Sequence, residues 1–341
     1  MAPDVLEPND KRVGHKFITI TGTNITYYYV DASPTSKPRG TILLFHGFPD
    51  LGIGWRYQVP YLVNLGYRVI VPDMLGYGLT SAPDAPEEYS FKKMCDHMAF
   101  LIRKIVPEQK VILGGHDWGA FMAWRMAMWY PDLLIAIFCF AVNFTQPNRK
   151  YVDLDEVAKR VPTLKYHQQF AGPDLEAALR DRRKLRGFLD TSYKDASQVI
   201  YSQNSNSQGL KVETFDSVTP TRLMPNTLME HYVDEYMRHS IHAPFNWYRT
   251  RKYNFDDELV FAEKPHVHKF KMPAMCVMAR YDVALPPGMA TKMAKHFENL
   301  FILETFDTSH WIMIEKPNET NEAIRNFVEQ VEAITEQSSK L

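Results

Sequence analysis

In the first part of the chain, apolar residues alternate between short continuous runs and longer stretches with helical spacing. Short runs rich in β-branched and aromatic residues and bounded by turn residues are typical of strands, and we predict strands at 17–21, 25–31, 41–45, 67–71, 111–113 and 133–140. Apolar residues three or four positions apart are typical of helices, and we predict helices at 55–65, 91–106 and 122–130. Strands that alternate with helices in this order predict a mostly parallel sheet flanked by helices.

This alternation stops near Asn143 and resumes near Phe270. The segment between them contains helical, charged and Gly- or Asn-punctuated stretches, and it shows no core-strand pattern. After it we predict strands at 272–278 and 301–305 and helices near 289–297 and at 319–335. The predicted fold class is therefore α/β, with a core made of residues 1–143 and 270–341 and an inserted helical cap at 144–269. Because ligands of open α/β sheets bind at the carboxyl ends of the strands, we expect the cap to cover the site.

Composition and charge exclude several classes of protein. The chain has 341 residues, 45% of them hydrophobic, and a net charge of −1, which gives no electrostatic reason to bind nucleic acid or an anionic membrane. The three cysteines are widely spaced and form neither a disulfide framework nor a zinc pattern. The N-terminal residues lack the apolar segment of a signal peptide, and the longest apolar run, 133–142, is too short to span a bilayer. We expect a soluble protein with no membrane span, no metal and no cofactor.

The last three residues, Ser339-Lys340-Leu341, match an address that peroxisomal import receptors read. We therefore expect a peroxisomal import receptor as a partner and a peroxisomal location. Without import, the expected location is the cytoplasm.

The strongest chemical signal is Gly115-His116-Asp117-Trp118-Gly119, between a predicted strand and a predicted helix. The pattern is that of the nucleophile elbow of an α/β-hydrolase, G-x-S-x-G, with aspartate in place of serine. Small residues are needed there because the strand and helix backbones approach closely, and the helix N-terminus favours an anion. A glycine turn followed by a helix with an N-capping aspartate would show the same sequence pattern. The elbow alone therefore leaves the role of Asp117 open.

Two downstream residues complete a catalytic triad in the order that this fold uses, which is nucleophile, acid, histidine. Asp282 follows the predicted strand that ends near Arg280, and His310 follows the last predicted strand. Both lie just past the carboxyl ends of strands, where catalytic loops gather. Order and topology together predict the triad Asp117, Asp282 and His310.

The loop His46-Gly47-Phe48-Pro49 follows the third predicted strand. In this fold one oxyanion-hole N–H comes from that loop and another from the residue after the nucleophile. These donors would be the backbone N–H groups of Phe48 and Trp118, since Pro49 has no N–H.

An aspartate at the elbow changes the predicted chemistry. A carboxylate that attacked an ester would form only a labile anhydride, whereas one that attacks a saturated carbon displaces a leaving group and forms an alkyl ester. Water activated by His310 would then cleave that ester at the Asp117 carbonyl. The leaving group can be the oxygen of an opened epoxide or a halide. An alkoxide needs acidic donors such as phenols, and a halide needs weak donors such as indole N–H groups.

Over nearly its whole length the chain resembles the soluble epoxide hydrolase family of the α/β-hydrolase fold. The resemblance rests on the elbow, the loop at 46–49, Asp282, and the stretches Asn246-Trp247-Tyr248-Arg249 and His310-Trp311. It implies that Tyr248 is one ring-opening donor. A second donor, in a Tyr-x-x-x-Phe context, carries over onto Tyr166, although the intervening His167-Gln168-Gln169 departs from the commoner aliphatic and aromatic residues.

The same resemblance implies three substrate-pocket residues, namely Phe170, Trp247 and Trp311. The expected reaction converts an epoxide and water into a vicinal diol through a covalent ester on Asp117. A peroxisomal location suggests a fatty-acid-derived epoxide, and epoxide opening in a biosynthetic pathway for a specialised metabolite would use the same residues. The alternatives are a haloalkane dehalogenase with Trp118 as halide donor, and a non-catalytic ligand-binding protein of the same fold. The intact triad argues against a pure binder.

Overall fold

The computed structural model describes residues 3–202, 209–264 and 268–338. Its strands are β1 (Gly14–Thr19), β2 (Thr26–Ala32), β3 (Thr41–Phe45), β4 (Arg68–Pro72), β5 (Val111–His116), β6 (Leu134–Phe140), β7 (Ala274–Ala279) and β8 (Phe301–Phe306). In the described residues they form one eight-stranded sheet in the order β1-β2-β4-β3-β5-β6-β7-β8. The β1–β2 and β2–β4 pairs are antiparallel, and the other neighbours are parallel. This confirms the predicted mostly parallel sheet.

The helices are α1 (Gln58–Asn64), α2 (Phe91–Ile105), α3 (Trp118–Trp129), α4 (Leu154–Arg160), α5 (Tyr166–Ala171), α6 (Pro173–Ala178), α7 (Arg182–Ser192), α8 (Ala196–Ser202), α9 (Asn226–His239), α10 (His242–Arg249), α11 (Arg251–Ala262), α12 (Ile312–Glu315) and α13 (Pro317–Ser338). Helices α4 to α11 lie between β6 and β7, and this segment, Leu154–Ala262, is the helical insert. An α/β core with a helical insert confirms the predicted fold class, whereas the division at residues 143 and 269 stays a prediction.

The central strands are buried on both faces, as expected for parallel strands covered by helices. In β3 every residue is buried. Because successive side chains of a strand point to opposite faces, Leu43 and Phe45 belong to one apolar cluster with buried side chains of α2 and α3. Ile42 and Leu44 belong to the other cluster, with side chains of α1 and α13. This double burial holds the carboxyl ends of β3 and β5 in place.

Buried hydrogen bonds hold the helical insert on the core. The carboxylate of Asp50, in the loop after β3, accepts the hydroxyl of Tyr232 at 2.6 Å and that of Tyr193 at 3.1 Å. The indole N–H of Trp247 donates to the carbonyl of Leu75 at 3.0 Å. Because these groups are buried, each unmade bond would cost about 1–3 kcal/mol. The insert is therefore positioned over the loop that was predicted to supply an oxyanion donor.

Besides shifts of up to three residues at the ends of several elements, the structure differs from the predicted elements near residues 289–297 and at the start of α3. The helix predicted near 289–297 is replaced by two 3-10 turns, Pro287–Ala290 and Met293–His296. Helix α3 begins at Trp118, four residues before the predicted start. Among the described residues, no helix combines the length and apolar character needed to cross a membrane. The predicted targeting tripeptide at 339–341 lies outside the described residues.

Candidate active site

Asp117 lies between the last residue of β5 and the first residue of α3. Its backbone has φ 53° and ψ −125°, a conformation that non-glycine residues rarely adopt and that marks functional turns. Close packing enforces this turn. A Cβ atom added to Gly119 would lie 2.4 Å from the carbonyl oxygen of Phe45 and 2.5 Å from that of His46. The glycine thus lets α3 begin directly against β3, as the elbow pattern predicted.

The loop after β3 brings a backbone donor to this carboxylate. The N–H of Phe48 donates to Oδ1 of Asp117 at 2.8 Å. Trp118 is the first residue of α3, where N–H groups have no intrahelical acceptor. The two predicted oxyanion donors therefore lie at the same end of the sheet as the predicted nucleophile. A Cβ on Gly47 would lie 2.4 Å from Cβ of Asp117. The loop can therefore approach Asp117 only because residue 47 has no side chain.

His46 fixes the geometry of the oxyanion loop. Burial lowers the pKa of His46 to about 4, so the ring is neutral near pH 7. Its Nε2 atom accepts the N–H of Met74 at 2.9 Å, and its Nδ1 atom lies 2.9 Å from the carbonyl of Gly47. Because Nε2 accepts, the proton is on Nδ1 and is donated to that carbonyl. The neutral imidazole therefore ties the loop to the segment after β4.

The predicted triad is assembled. The Nδ1 atom of His310 lies 2.6 Å from Oδ2 of Asp282, and its Nε2 atom lies 3.5 Å from Oδ2 of Asp117. The second oxygen of Asp282 accepts the N–H groups of Ala284 and Leu285 at 2.9 and 3.0 Å. Asp282 is thus held as an acceptor that orients the imidazole toward Asp117.

The charged groups of the triad stabilise one another's ionised forms. Burial disfavours the charged imidazole, but the carboxylates of Asp282 and Asp117 outweigh it and raise the pKa of His310 to about 10. Burial likewise opposes ionisation of both aspartates, and interactions with His310 nevertheless keep the pKa of each below its ordinary value. In the resting site both carboxylates are therefore anionic and the imidazole is protonated near pH 7.

A cavity of about 450 Å³ lies between the core and the helical insert. Its lining includes Asp117 and Trp118 from the core and Tyr166, Trp247 and Tyr248 from the insert. The volume is within the range of small-molecule sites. The structure therefore brings both predicted tyrosines to the cavity of the predicted nucleophile.

The two phenol rings lie near each other, with centroids 6.5 Å apart. Burial raises the pKa of both Tyr166 and Tyr248 well above the ordinary value of 10, and the charge of Asp117 acts in the same direction. Both hydroxyls therefore remain protonated near neutral pH. They can act as hydrogen-bond and proton donors to a ligand in the cavity.

Two of the three predicted pocket residues do not line this cavity. Phe170 packs behind the tyrosines, with ring centroids 5.1 Å from Tyr166 and 4.8 Å from Tyr248. Trp311 is 1% exposed, stacks on Tyr193 at 3.7 Å, and donates its indole N–H to the carbonyl of Ser192 at 2.8 Å. Both rings support the site from behind, and their assignment to the substrate pocket stays a prediction. Trp247 lines the cavity, and its contact with substrate stays a prediction.

His167 and Arg251 are among the polar residues of the cavity lining that sequence reasoning missed. His167 lies between the tyrosines, with ring centroids 4.6 Å from Tyr166 and 4.9 Å from Tyr248. Residues 167–169 differ from the aliphatic and aromatic residues that are commoner at these positions, and this difference was a sequence signal for His167. Arg251, three positions after Tyr248, had no such signal. Among the described residues, no group of three or more His, Cys, Asp or Glu is placed to hold a metal ion.

Comparisons with known proteins agree with this arrangement. The alpha/beta hydrolase fold family matches residues 40–317. The chain is 43% identical to epoxide hydrolase srdG of Neurospora crassa, over 97% of this chain and 99% of that protein. It is 29% identical to bifunctional epoxide hydrolase 2 of Rattus norvegicus over 94% of this chain, which spans 56% of that longer protein. The solved structure of an epoxide hydrolase from Vigna radiata superposes with a TM-score of 0.77 at 20% identity, covering 94% of this chain and 98% of that one.

Proposed function

The chain belongs to the epoxide hydrolase family of the α/β-hydrolase fold, and from that premise we propose that it converts an epoxide and water into a vicinal diol through an ester on Asp117. One observation carries the proposal. A carboxylate at the elbow shares a single cavity with two protonated phenols, and a histidine paired to a second carboxylate lies beside it. Nucleophile, proton donors and base are therefore within reach of one small substrate.

In the first step a carboxylate oxygen of Asp117 attacks an epoxide carbon, and the ring C–O bond breaks. Tyr166 and Tyr248 donate hydrogen bonds to the ring oxygen, and one of them supplies the proton that the developing alkoxide takes. The product of this step is a hydroxyalkyl ester of Asp117 and a tyrosinate. Because both phenols are buried with high pKa values, the tyrosinate readily takes a proton back.

Ester formation also converts His310 into a base. The Asp117 charge, which helps to raise the pKa of His310, disappears when the carboxylate is esterified. The imidazolium can then release its proton, which restores the tyrosine. Neutral His310, still oriented by Asp282, takes a proton from water as the water oxygen attacks the Asp117 carbonyl.

The tetrahedral oxyanion of this second step is stabilised by the N–H groups of Phe48 and Trp118. Phe48 already donates to Oδ1 of Asp117 at 2.8 Å, so this donor needs little reorganisation. Collapse of the intermediate breaks the ester C–O bond, releases the diol, and leaves an Asp117 carboxylate beside an imidazolium. One oxygen of that carboxylate comes from water.

The cavity favours this reaction over halide displacement. A halide would need indole donors, and of the two indoles that line the cavity, that of Trp247 is already bound to the carbonyl of Leu75. The indole of Trp118 is hydrogen-bonded to Tyr248, whereas two phenols suit an alkoxide. A non-catalytic binding protein would not need the His310–Asp282 pair. The names of the relatives also favour the epoxide reaction.

The proposal is tested with purified protein, styrene oxide and a chloroalkane. We expect diol from the epoxide, no chloride from the chloroalkane, and no diol from the Asp117→Asn variant. In His310→Asn we expect ring opening without ester cleavage, so intact mass spectrometry should show the protein heavier by one epoxide. Chloride release without diol would favour the dehalogenase. Ligand-induced thermal stabilisation without turnover of any epoxide would favour the binding protein.

We also propose import into peroxisomes, supported by the tripeptide Ser339-Lys340-Leu341. Such a location would expose the enzyme to fatty-acid-derived epoxides. A fluorescent protein fused to the N-terminus should accumulate in peroxisomes, and the same fusion without the tripeptide should stay in the cytosol. Cytosolic fluorescence of the intact fusion would contradict the proposal.

A further inference from the structure

The two phenols of the cavity differ in how their rings are held. Tyr248 is 5% exposed, and its ring centroid lies 5.1 Å from that of Trp118 and 5.5 Å from that of Phe48, both from the core. Phe170 and His167 contact it from the insert, at 4.8 and 4.9 Å. Four ring contacts from both parts of the protein therefore fix the position of the Tyr248 ring.

The Tyr166 ring is held by the insert. It contacts the rings of His167, Phe170 and Tyr248 at 4.6, 5.1 and 6.5 Å. Among the described residues it has no ring contact with the core. Tyr248 is therefore the phenol whose position relative to Asp117 is set directly by the core.

Trp118 links the core to Tyr248. It follows the nucleophile in the chain and lines the same cavity. Its ring is nearly perpendicular to the Tyr248 ring, at 83°, and its indole is hydrogen-bonded to Tyr248. An indole N–H can only donate, so the phenol oxygen accepts this bond. The O–H of Tyr248 therefore remains available for a ligand.

The indole is itself held in place. Trp118 is the first residue of α3, directly after the elbow. Its ring contacts those of Phe91 and Phe121 at 5.7 Å each and that of Trp247 at 6.4 Å. A donor fixed in this way needs little reorganisation when negative charge develops on its acceptor.

This hydrogen bond makes the two phenols unequal. Burial raises the pKa of Tyr248 well above its ordinary value, the charges of Tyr166 and Asp117 act in the same direction, and the Trp118 hydrogen bond opposes them. At Tyr166, burial and the charges of Asp117 and Asp282 all raise the pKa. A hydrogen bond to the charged form of a group favours that form. Tyr248 is therefore the phenol whose anion has a donor ready.

We propose that Trp118 is a positioning residue of the ring-opening step, because its indole N–H orients the Tyr248 hydroxyl and stabilises the Tyr248 anion. Tyr248 then supplies the proton, whereas Tyr166 only donates a hydrogen bond to the ring oxygen. The proposal rests on the proposed function, since it concerns a proton transfer in epoxide opening.

The step balances without any further reactant. A carboxylate oxygen of Asp117 bonds to an epoxide carbon, and the ring C–O bond breaks. The Tyr248 proton moves to the ring oxygen, so the negative charge of the carboxylate passes to the Tyr248 oxygen, where the indole N–H of Trp118 donates to it. The imidazolium of His310 later returns a proton to Tyr248.

The first test is the rate of each step in Trp118→Phe, measured by rapid-quench mass spectrometry in a single turnover of styrene oxide. Ester formation should slow about 10- to 100-fold, the loss expected for a hydrogen bond to a charged group. Ester cleavage should keep its wild-type rate, because the variant retains the backbone N–H that stabilises the second oxyanion. Unchanged ester formation would overturn the proposal.

Trp129→Phe is the matched control. Trp129 is the last residue of the same helix α3, and it is not among the residues that line the cavity. The same substitution there should leave ester formation at the wild-type rate.

A double-mutant cycle separates action through Tyr248 from a merely structural role. In Tyr248→Phe the accepting oxygen is gone, so adding Trp118→Phe should slow ester formation no further. In Tyr166→Phe the acceptor remains, so adding Trp118→Phe should slow it by the full factor. Equal factors in the two backgrounds would show that Trp118 acts only on the shape of the cavity, and would overturn the proposal.

NMR of the resting enzyme separates this proposal from the proposed function. The six tryptophans would be labelled with nitrogen-15, and Trp118→Phe would assign the Trp118 indole signal. Loss of its acceptor in Tyr248→Phe should move the indole proton upfield, and Tyr166→Phe should leave it in place. If wild type hydrolyses no epoxide, the proposed function fails, but this shift would still show the link between Trp118 and Tyr248. An indole signal that is the same in wild type and Tyr248→Phe would overturn the proposal, with or without turnover.

Discussion

The Nε2 atom of His310 lies 3.5 Å from Oδ2 of Asp117. At this separation the carboxylate and the imidazolium form an ion pair, so the protonation of one depends on the charge of the other. The opposite ring nitrogen is held by Asp282 at 2.6 Å. His310 can therefore respond to the state of Asp117 without changing its orientation.

The first prediction concerns that dependence. Asp117→Asn replaces the carboxylate by a neutral group of the same shape, as esterification does. The pKa of His310, raised to about 10 in the resting site by both carboxylates against the effect of burial, should fall by at least one unit. NMR titration of labelled histidines, with His310→Gln to assign the signal, measures it. An unchanged pKa in Asp117→Asn would mean that Asp117 does not control the base.

The second prediction concerns the two ring-opening donors. Tyr166→Phe and Tyr248→Phe should each slow ester formation about 10- to 100-fold, and the double variant should be slower than either, because a proton donor to the leaving oxygen is lost. Single-turnover rates of ester formation measure the step. Tyr151→Phe is the control, since this phenol lines the same cavity, and it should keep the wild-type rate. A double variant as fast as wild type would exclude the phenols as donors.

The third prediction concerns the pH dependence of folding. Burial raises the pKa of Asp50 to about 6, although hydrogen bonds from Tyr232 and others oppose it. Since the ordinary value of 3.8 is lower, protonation favours the folded state. The resulting stability is present below about pH 4 and is lost as the pH rises through about 6.

Asp50→Asn should reduce the change of the free energy of unfolding with pH over this range. Urea denaturation across this pH range measures the free energy of unfolding, and each full unit of pKa shift corresponds to about 1.4 kcal/mol. Asp132→Asn, at an exposed position, should leave the profile unchanged. Asp73, whose pKa burial also raises to about 6, contributes with the same sign, so some slope should remain. An identical slope in wild type and Asp50→Asn would refute the assignment.

The fourth prediction concerns the elbow glycine. In Gly119→Ala the new Cβ would meet two backbone carbonyl oxygens at 2.4 and 2.5 Å, and backbone atoms cannot move aside as a side-chain end can. We expect a loss of at least ~2 kcal/mol in the free energy of unfolding. Gly288→Ala adds the same methyl group where no atom lies within 4 Å, so it should change stability by less than about 0.5 kcal/mol. Equal effects of the two changes would contradict the close-packed elbow.

The core and the triad could be predicted from local patterns. The run Thr41–Phe45 is apolar throughout because β3 is buried on both faces, and such a run is visible in the sequence. The glycines around Asp117 are required by backbone contacts, so they form a readable motif. The triad residues follow strands that end at the same edge of the sheet, and their order along the chain is enough to place them together.

The missed features depend on contacts between distant parts of the chain. Trp311 is adjacent to His310, yet its indole donates to the carbonyl of Ser192, which is 119 positions away, so its position next to His310 in the sequence does not reveal this contact. Glu258 neutralises Arg125 from 133 positions away. No sequence pattern shows that Arg125 is paired with Glu258. Which charges remain free in a cavity is decided by tertiary packing.

The ester on Asp117 is the central claim, and one turnover in ¹⁸O-labelled water tests it most directly. With enzyme in excess over styrene oxide, the oxygen added to the diol should come from the Asp117 carboxylate. We predict that the label enters the peptide that contains Asp117 and is absent from the diol. Label in the diol after this first turnover, with none in the protein, would contradict the covalent mechanism.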